Sequence, residues 1–161
     1  MVLDRVYAVV LAGGRGERFW PLSTAKRPKQ LLTLVGERPM IAETVRRLDG
    51  LVPKQRILVV TNAEIAATTR ALLPEVPPDN VFGEPLGRDT AAAVALSAAL
   101  VRARDPEAAF AILPADHVIA ETERFQGTLS AAFRIARGND VLVVIGIPPT
   151  APLSSFGYIE A

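Results

Sequence analysis

The residues best suited to chemistry lie in a glycine-rich loop near the start of the chain. Gly13, Gly14 and Gly16 follow the apolar run Val9–Ala12. Because glycine has no side chain, the backbone N–H groups of such a loop can approach phosphate oxygens closely. Basic side chains between positions 15 and 29 add fixed positive charge around it, namely Arg15, Arg18, Lys26, Arg27 and Lys29. The pattern predicts a loop that binds a polyphosphate.

Two familiar phosphate-binding loops do not match this one. The Walker loop requires a Gly-Lys pair, which occurs nowhere in the chain. The dinucleotide fingerprint requires a third small residue where Phe19 stands, and a phenylalanine there would obstruct close helix–strand packing. A plain turn would also be rich in glycine, but it seldom needs two arginines and a lysine downstream. Phosphate binding of another class is therefore favoured.

The composition fits one globular domain. At 161 residues, 50% of them hydrophobic, the chain is long enough to bury a single core. No apolar run reaches the ~18 residues of a membrane span, and a net charge of +1 gives no reason to expect a nucleic-acid or membrane partner. The chain has no cysteine and no N-terminal signal pattern, so we expect a cytoplasmic protein without thiolate metal sites. A homodimer is left open.

Apolar runs alternate with helical patterns along the whole chain. The candidate strands are short and rich in valine, isoleucine or alanine, as strands buried on both faces should be: Arg5–Ala12, Arg56–Thr61, Val81–Gly83, Ala108–Leu113 and Val141–Gly146. The candidate helices lie between and after them: Met40–Leu48, Ala63–Leu73, Thr90–Arg104 and Glu121–Arg137. The alternation predicts a three-layer α/β fold with a mostly parallel sheet and right-handed crossovers.

In sheets of this kind, ligands bind beyond the carboxyl ends of the strands. The glycine loop follows the first predicted strand and Glu84–Asp89 follows the third. Asp116 follows the fourth, and Pro148 follows the fifth. We therefore expect all of these segments to meet at one edge of the sheet.

Asp116 is the best candidate for a metal ligand. Magnesium prefers one or two carboxylates together with waters and phosphate oxygens, and a carboxylate just past an apolar strand is well placed to supply one. On its own, the residue would serve equally well as a turn cap after Pro114. His117 is the only histidine of a chain without cysteine, so packing or a supporting role is favoured over coordination.

Five segments together resemble the sugar-1-phosphate nucleotidyltransferases, in particular the guanylyl branch that makes GDP-mannose from GTP and mannose 1-phosphate. They stand in the family's order and span nearly the whole chain: Val9–Pro21, Arg27–Leu32, Glu84–Ala91, Leu113–His117, and Gly146–Thr150 leading to Gly157–Ile159. The resemblance implies a Rossmann-like nucleotidyltransferase fold. Residues 1–161 would be the N-terminal, nucleotide-binding part of its catalytic domain, so we expect the fold to be incomplete at the C-terminus.

The resemblance also implies a role for each matching residue. Arg15 is expected to contact the β- and γ-phosphates of GTP, Lys29 to bridge the α-phosphate and the incoming sugar phosphate, and Asp116 to bind Mg²⁺. The sugar would lie near Gly146, Gly157 and Tyr158. The residues implied to hold the nucleotide are Leu11, Ala12, Gly13, Gly14, Arg15, Gly16, Glu84, Gly87, Asp89 and Thr90.

Several of these residues have a second interpretation. Asp89 or Thr90 would also serve as the N-cap of the alanine-rich helix. Lys26 and Arg27 also fit solvated surface charges, and Tyr158 also fits ordinary packing.

The chain departs from the family pattern at four positions. They are Asp89 for asparagine, Ala92 for proline, Leu153 for glutamate and Ser155 for glycine. The last two fall in the region that the family uses near the sugar, so the identity of the sugar stays open. A transferase for another base or sugar, and a nucleotide-binding module without catalysis, are the alternatives.

Overall fold

The computed structural model of the protein describes residues 3–14, 19–24, 26–87, 89–152, 154 and 157–159. Five residues singled out by sequence lie outside the described residues, namely Arg15, Gly16, Arg18, Leu153 and Ser155. At the centre is a parallel four-stranded sheet with the strand order β3-β2-β1-β4. The parallel α/β architecture expected from the sequence is therefore confirmed.

The helices and strands follow one another in the predicted order. The strands are β1 (Val6–Ala12), β2 (Ile57–Asn62), β3 (Val81–Glu84) and β4 (Ala109–Pro114). The helices are α1 (Met40–Arg46), α2 (Ala63–Leu72), α3 (Asp89–Arg104) and α4 (Thr122–Gly138). Four of the five predicted strands and all four predicted helices are confirmed, with ends that shift by one or two residues.

The side chains of β1 divide between two hydrophobic clusters, as the two-residue period of a strand requires. Val6, Ala8 and Val10 pack in one cluster with side chains of α1, α2 and α4. Tyr7 and Val9 pack in the other with side chains of α3. Three layers result, and β1 and β2 are apolar on both faces because helices cover both.

The register brings the carboxyl ends of the strands together. Ala12 at the end of β1 lies opposite Thr61 of β2, and Leu11 lies opposite Pro114 of β4. The loops that leave these strands therefore start side by side at the edge where the sequence placed its motifs.

The prediction of a fifth strand at Val141–Gly146 is wrong. The segment has no regular secondary structure and is paired with none of the described strands. Leu142 is 99% exposed and Val144 is 70% exposed. A strand is held by hydrogen bonds to a neighbouring strand, so β-branched composition alone does not produce one.

In the part of the chain that the structure describes, no helix is both long and apolar enough to cross a membrane.

Candidate nucleotide-binding site

The glycine loop starts where β1 ends, and side chains hold three consecutive carbonyl oxygens of the segment 12–14. Gln30 donates from Nε2 to the first and third of these oxygens, at 2.5 and 3.1 Å. Thr61 donates from Oγ1 to the first at 3.0 Å, and Asn62 donates from Nδ2 to the second at 3.2 Å. The start of the loop is therefore fixed by three side chains from two other segments.

Open space surrounds Gly13 and Gly14, the two glycines of this loop that the structure describes. A Cβ atom built on Gly14 would have no heavy atom within 4 Å beyond its chain neighbours, and one built on Gly13 would meet only Glu84 Oε2 at 3.5 Å. The backbone is thus open to a ligand, as the sequence predicted for a phosphate-binding loop.

Lys29 and Asp116 meet directly at this edge. Lys29 opens a short 3-10 turn, Lys29–Leu31, and Asp116 stands two residues beyond the end of β4. The Lys29 ammonium forms an ion pair with the Asp116 carboxylate. Both side chains remain partly exposed, at 28% and 30%, so both can still reach a ligand. The Lys29 Nζ atom also lies 5.9 Å from the centre of the Phe19 ring.

The loop after β3 completes the cluster of predicted nucleotide-binding residues. Glu84 ends β3, and its carboxylate reaches toward Gly13. A Cβ atom at Gly87 would lie 3.9 Å from Asn62 Oδ1. Asp89 is the first residue of α3 and has a φ of 57°, in the left-handed region. The loops after β1, β2 and β3 therefore come together. The expectation that Pro148 joins them rested on a fifth strand, which the described residues do not form.

The sequence matches a known protein family. Residues 7–161 match the nucleotidyl transferase family. The chain belongs to this family. It is 38% identical to the mannose-1-phosphate guanylyltransferase of Sinorhizobium fredii over 99% of this chain and 31% of that protein. It is 36% identical to the mannose-1-phosphate guanylyltransferase of Escherichia coli K12, over 99% of this chain and 34% of that protein.

A solved structure supports the same assignment. The crystal structure described as mannose-1-phosphate geranyltransferase from Thermus thermophilus aligns with a TM-score of 0.73 and 38% identity. The alignment covers 82% of this chain and 38% of that chain. This nucleotidyl transferase chain thus spans about a third of the length of the curated relatives that it matches.

Nucleotidyl transferases generally use a divalent metal, and Asp116 suits one. Among the described residues, no three or more His, Cys, Asp or Glu side chains gather into a metal site. Magnesium does not need such a group, because it keeps several waters and takes oxygens from a bound phosphate. Asp116 supplies a hard carboxylate that already pairs with a cation, the Lys29 ammonium. The residues present fit a metal ion that a nucleotide helps to hold.

Three predicted site residues lie in the exposed segment after α4. Gly146 and Gly157 are exposed, and Cβ atoms built on them would have no heavy atom within 4 Å. Tyr158 is 55% exposed and donates from its hydroxyl to the Ala151 carbonyl at 3.4 Å. Their role near the sugar stays a prediction.

The sequence analysis assigned no role to several residues that shape the site. Thr61 and Asn62 are polar residues at the carboxyl end of an otherwise apolar buried strand, and that position was the signal that could have marked them. Arg47 was also missed. Its Nη2 donates at 3.1 Å to the carbonyl of His117, next to Asp116, and burial lowers the pKa of its guanidinium. The His117 side chain itself is exposed.

Proposed function

We propose that residues 1–161 form the nucleotide-binding part of a nucleotidyltransferase catalytic domain that makes GDP-mannose and pyrophosphate from GTP and mannose 1-phosphate. The Lys29–Asp116 pair beside an open glycine loop is the observation that carries this proposal. The identities of 38% and 36% to two mannose-1-phosphate guanylyltransferases support GTP as the nucleotide and mannose 1-phosphate as the sugar phosphate. The absence of cysteine fits a reaction in the cytoplasm.

The reaction needs orientation and charge more than proton transfer. An oxygen of the sugar phosphate forms a bond to the α-phosphorus of GTP, and the bond from that phosphorus to the bridging oxygen breaks. Pyrophosphate leaves with the electron pair. Because a phosphate monoester is largely dianionic near neutral pH, with a second pKa of about 6, no general base is required. The site must hold two anions in line and neutralise the charge that develops.

The residues of the site divide this work between them. The N–H groups of the glycine loop are assigned to the triphosphate, and Arg15, which lies outside the described residues, is assigned to its β- and γ-phosphates. The Lys29 ammonium, which is partly buried and paired with Asp116, is assigned to the α-phosphate and the sugar phosphate. When bound at Asp116, Mg²⁺ supplies a Lewis acid that neutralises phosphate charge. A metal ion held by Asp116 would share that carboxylate with Lys29, whose ammonium is also partly exposed and can bind phosphate.

The base and the sugar are assigned to two different segments. Glu84 offers an acceptor for the N1–H and N2–H₂ donors of guanine, and backbone groups near Gly87 offer donors for O6. Asp89 and Thr90, both exposed at the start of α3, border that loop. Gly146, Gly157 and Tyr158 are assigned to mannose through the family resemblance.

Calorimetric titration of the 161-residue chain with GTP and Mg²⁺ tests the proposal, with ATP and dTTP as competitors. We expect selective GTP binding that strengthens with Mg²⁺. A preference for another nucleotide would assign a base other than guanine to this site. Absence of binding by a folded sample would overturn the proposed function for this chain.

Asp116→Asn provides the matching variant, and Asp105→Asn provides its control. Both carboxylates flank β4 and both pair with a basic side chain, Asp116 with Lys29 and Asp105 with Arg5. Only Asp116 lies at the carboxyl edge. We expect Asp116→Asn to weaken Mg²⁺-dependent GTP binding by at least about tenfold, and Asp105→Asn to leave it unchanged. Equal effects of the two changes would remove Asp116 from the metal site.

A further inference from the structure

We infer that Asn62 is a positioning residue, which holds the glycine loop in the shape that receives the nucleotide. The inference rests on the proposed function, because it assigns a task to a side chain of the same site. Neither the loop motif nor the family resemblance pointed to this residue.

Asn62 stands at the N-cap of α2 but does not cap the helix. Its backbone is extended, with φ −69° and ψ 144°, as N-cap residues usually are. Asparagine is among the best N-cap residues because its side chain accepts a hydrogen bond from the first turn. Here the side chain makes no such bond. Its Nδ2 instead donates to the Gly13 carbonyl at 3.2 Å. The Asn62 side chain therefore contacts the glycine loop instead of stabilising the start of α2.

The same amide group faces a second loop. Asn62 Oδ1 lies 3.9 Å from the position that a Cβ atom of Gly87 would occupy. The side chain therefore spans from the loop after β1, assigned to phosphate, to the loop after β3, assigned to the base. A ligand that contacts both loops needs their spacing to be fixed, and Asn62 lies where that spacing is set.

Peptide geometry explains how a bond to a carbonyl prepares the loop. In a trans peptide, the N–H of one residue points opposite to the C=O of the residue before it. When Asn62 holds the Gly13 oxygen, the N–H of Gly14 is turned away from Asn62. Gln30 and Thr61, which are 2% and 0% exposed, turn the N–H of Gly13 in the same way through the Ala12 oxygen.

The test replaces Asn62 by serine. Serine caps helices about as well as asparagine, but it is too short to keep the bond to Gly13. We expect Asn62→Ser to keep or raise the denaturant midpoint of the 161-residue chain, while GTP binds about tenfold more weakly in the presence of Mg²⁺. A residue with a purely structural role would lose stability without this loss of affinity.

Asn80→Ser is the matched control. Asn80 is buried, and its Nδ2 donates to the carbonyls of Gln55 and Ile57 at 3.0 and 2.9 Å, at the opposite end of β2. Its loss should lower the denaturant midpoint and leave GTP affinity within about twofold of the unchanged chain.

Each outcome decides between the alternatives. A folded Asn62→Ser chain that binds GTP within about twofold of the unchanged chain would overturn the inference while the proposed function stands. If Asn62→Ser does not fold, Asn62→Thr takes its place, because threonine also caps helices and is also too short to keep the bond to Gly13. About tenfold weaker GTP binding by that variant supports the inference, and unchanged binding overturns it. An unchanged chain that binds no GTP would refute the proposed function itself, and this inference with it.

Discussion

Two segments of this chain have almost the same sequence, but only one of them forms a strand. Residues 57–60 of β2 read Ile-Leu-Val-Val, and residues 141–144 read Val-Leu-Val-Val. The first four side chains are at most 1% exposed. The second four are between 36% and 99% exposed, and they belong to no strand. Side-chain composition therefore does not decide which of these segments becomes a strand.

The difference lies in what surrounds each segment. β2 is paired with β1 on one side and β3 on the other, and both of its faces lie in hydrophobic clusters. Segment 141–144 is paired with none of the described strands. A strand needs neighbours to satisfy its backbone N–H and C=O groups, and it needs covered faces for its side chains to gain from burial.

The largest expected effect comes from placing a charge in each segment. Val59→Asp would bury a carboxylate at a position that is 0% exposed, among the apolar side chains of the cluster that also holds Val6, Ala8 and Val10. We expect a loss of more than about 4 kcal/mol in the free energy of unfolding, enough to prevent folding of a marginally stable domain. Urea unfolding followed by circular dichroism measures it.

Val144→Asp is the partner variant, at a position that is 70% exposed. Its cost should stay within about 0.5 kcal/mol. If it destabilises the chain as strongly as Val59→Asp, then segment 141–144 is packed in solution and the comparison with β2 fails.

A smaller effect on the free energy of unfolding is expected for changes at the glycines that follow the two segments. Gly83 lies in β3, next to β2, and a Cβ atom there would come within 2.8 Å of the Ala63 Cα. Because backbone must move to make room, Gly83→Ala should cost about 1–3 kcal/mol. Gly146 has open space around it, so Gly146→Ala should change stability by less than about 0.5 kcal/mol. Equal denaturant midpoints for the two variants would contradict the close packing of α2 on β3.

The same contrast shows how far the sequence could predict the fold. Apolar runs and helical periods were enough for β1 to β4 and for α1 to α4, because each of these elements finds its neighbours within the chain. Val141–Gly146 satisfied the same criteria and failed, since a run of β-branched residues carries no information about a partner strand.

The site was predicted unevenly for a similar reason. The carboxyl-edge rule predicted that the glycine loop and Asp116 lie at one edge of the sheet, because each follows a strand, whereas Lys29 was singled out by the family resemblance. Asn62 could not be found, because an asparagine before a helix is first interpreted as a cap. Only its contact with the Gly13 carbonyl shows that its side chain serves the loop instead.

The smallest expected effect on stability concerns β4. Its pairing and burial are intermediate between those of β2 and those of segment 141–144. It is paired with β1 on one side, and most of its side chains are only partly buried. Arg5, just before β1, forms a two-bond ion pair with Asp105, just before β4, at 2.6 and 3.1 Å. The hydrogen bond from Arg5 lowers the pKa of the Asp105 carboxyl below its ordinary value of 3.8.

This lowered pKa predicts a dependence of stability on acid at the start of the edge strand. A carboxyl whose pKa is lower in the folded state stabilises the fold above its ordinary pKa of 3.8, and that contribution is lost as the pH falls through the folded value. Asp105→Asn should therefore be slightly less stable than the unchanged chain at pH 6, and this difference in stability should narrow at a pH well below 3.8. The ion pair is partly exposed, so added salt should also narrow the gap. Urea unfolding at both pH values measures it, and a gap that stays constant with pH would show that the ion pair does not anchor β4.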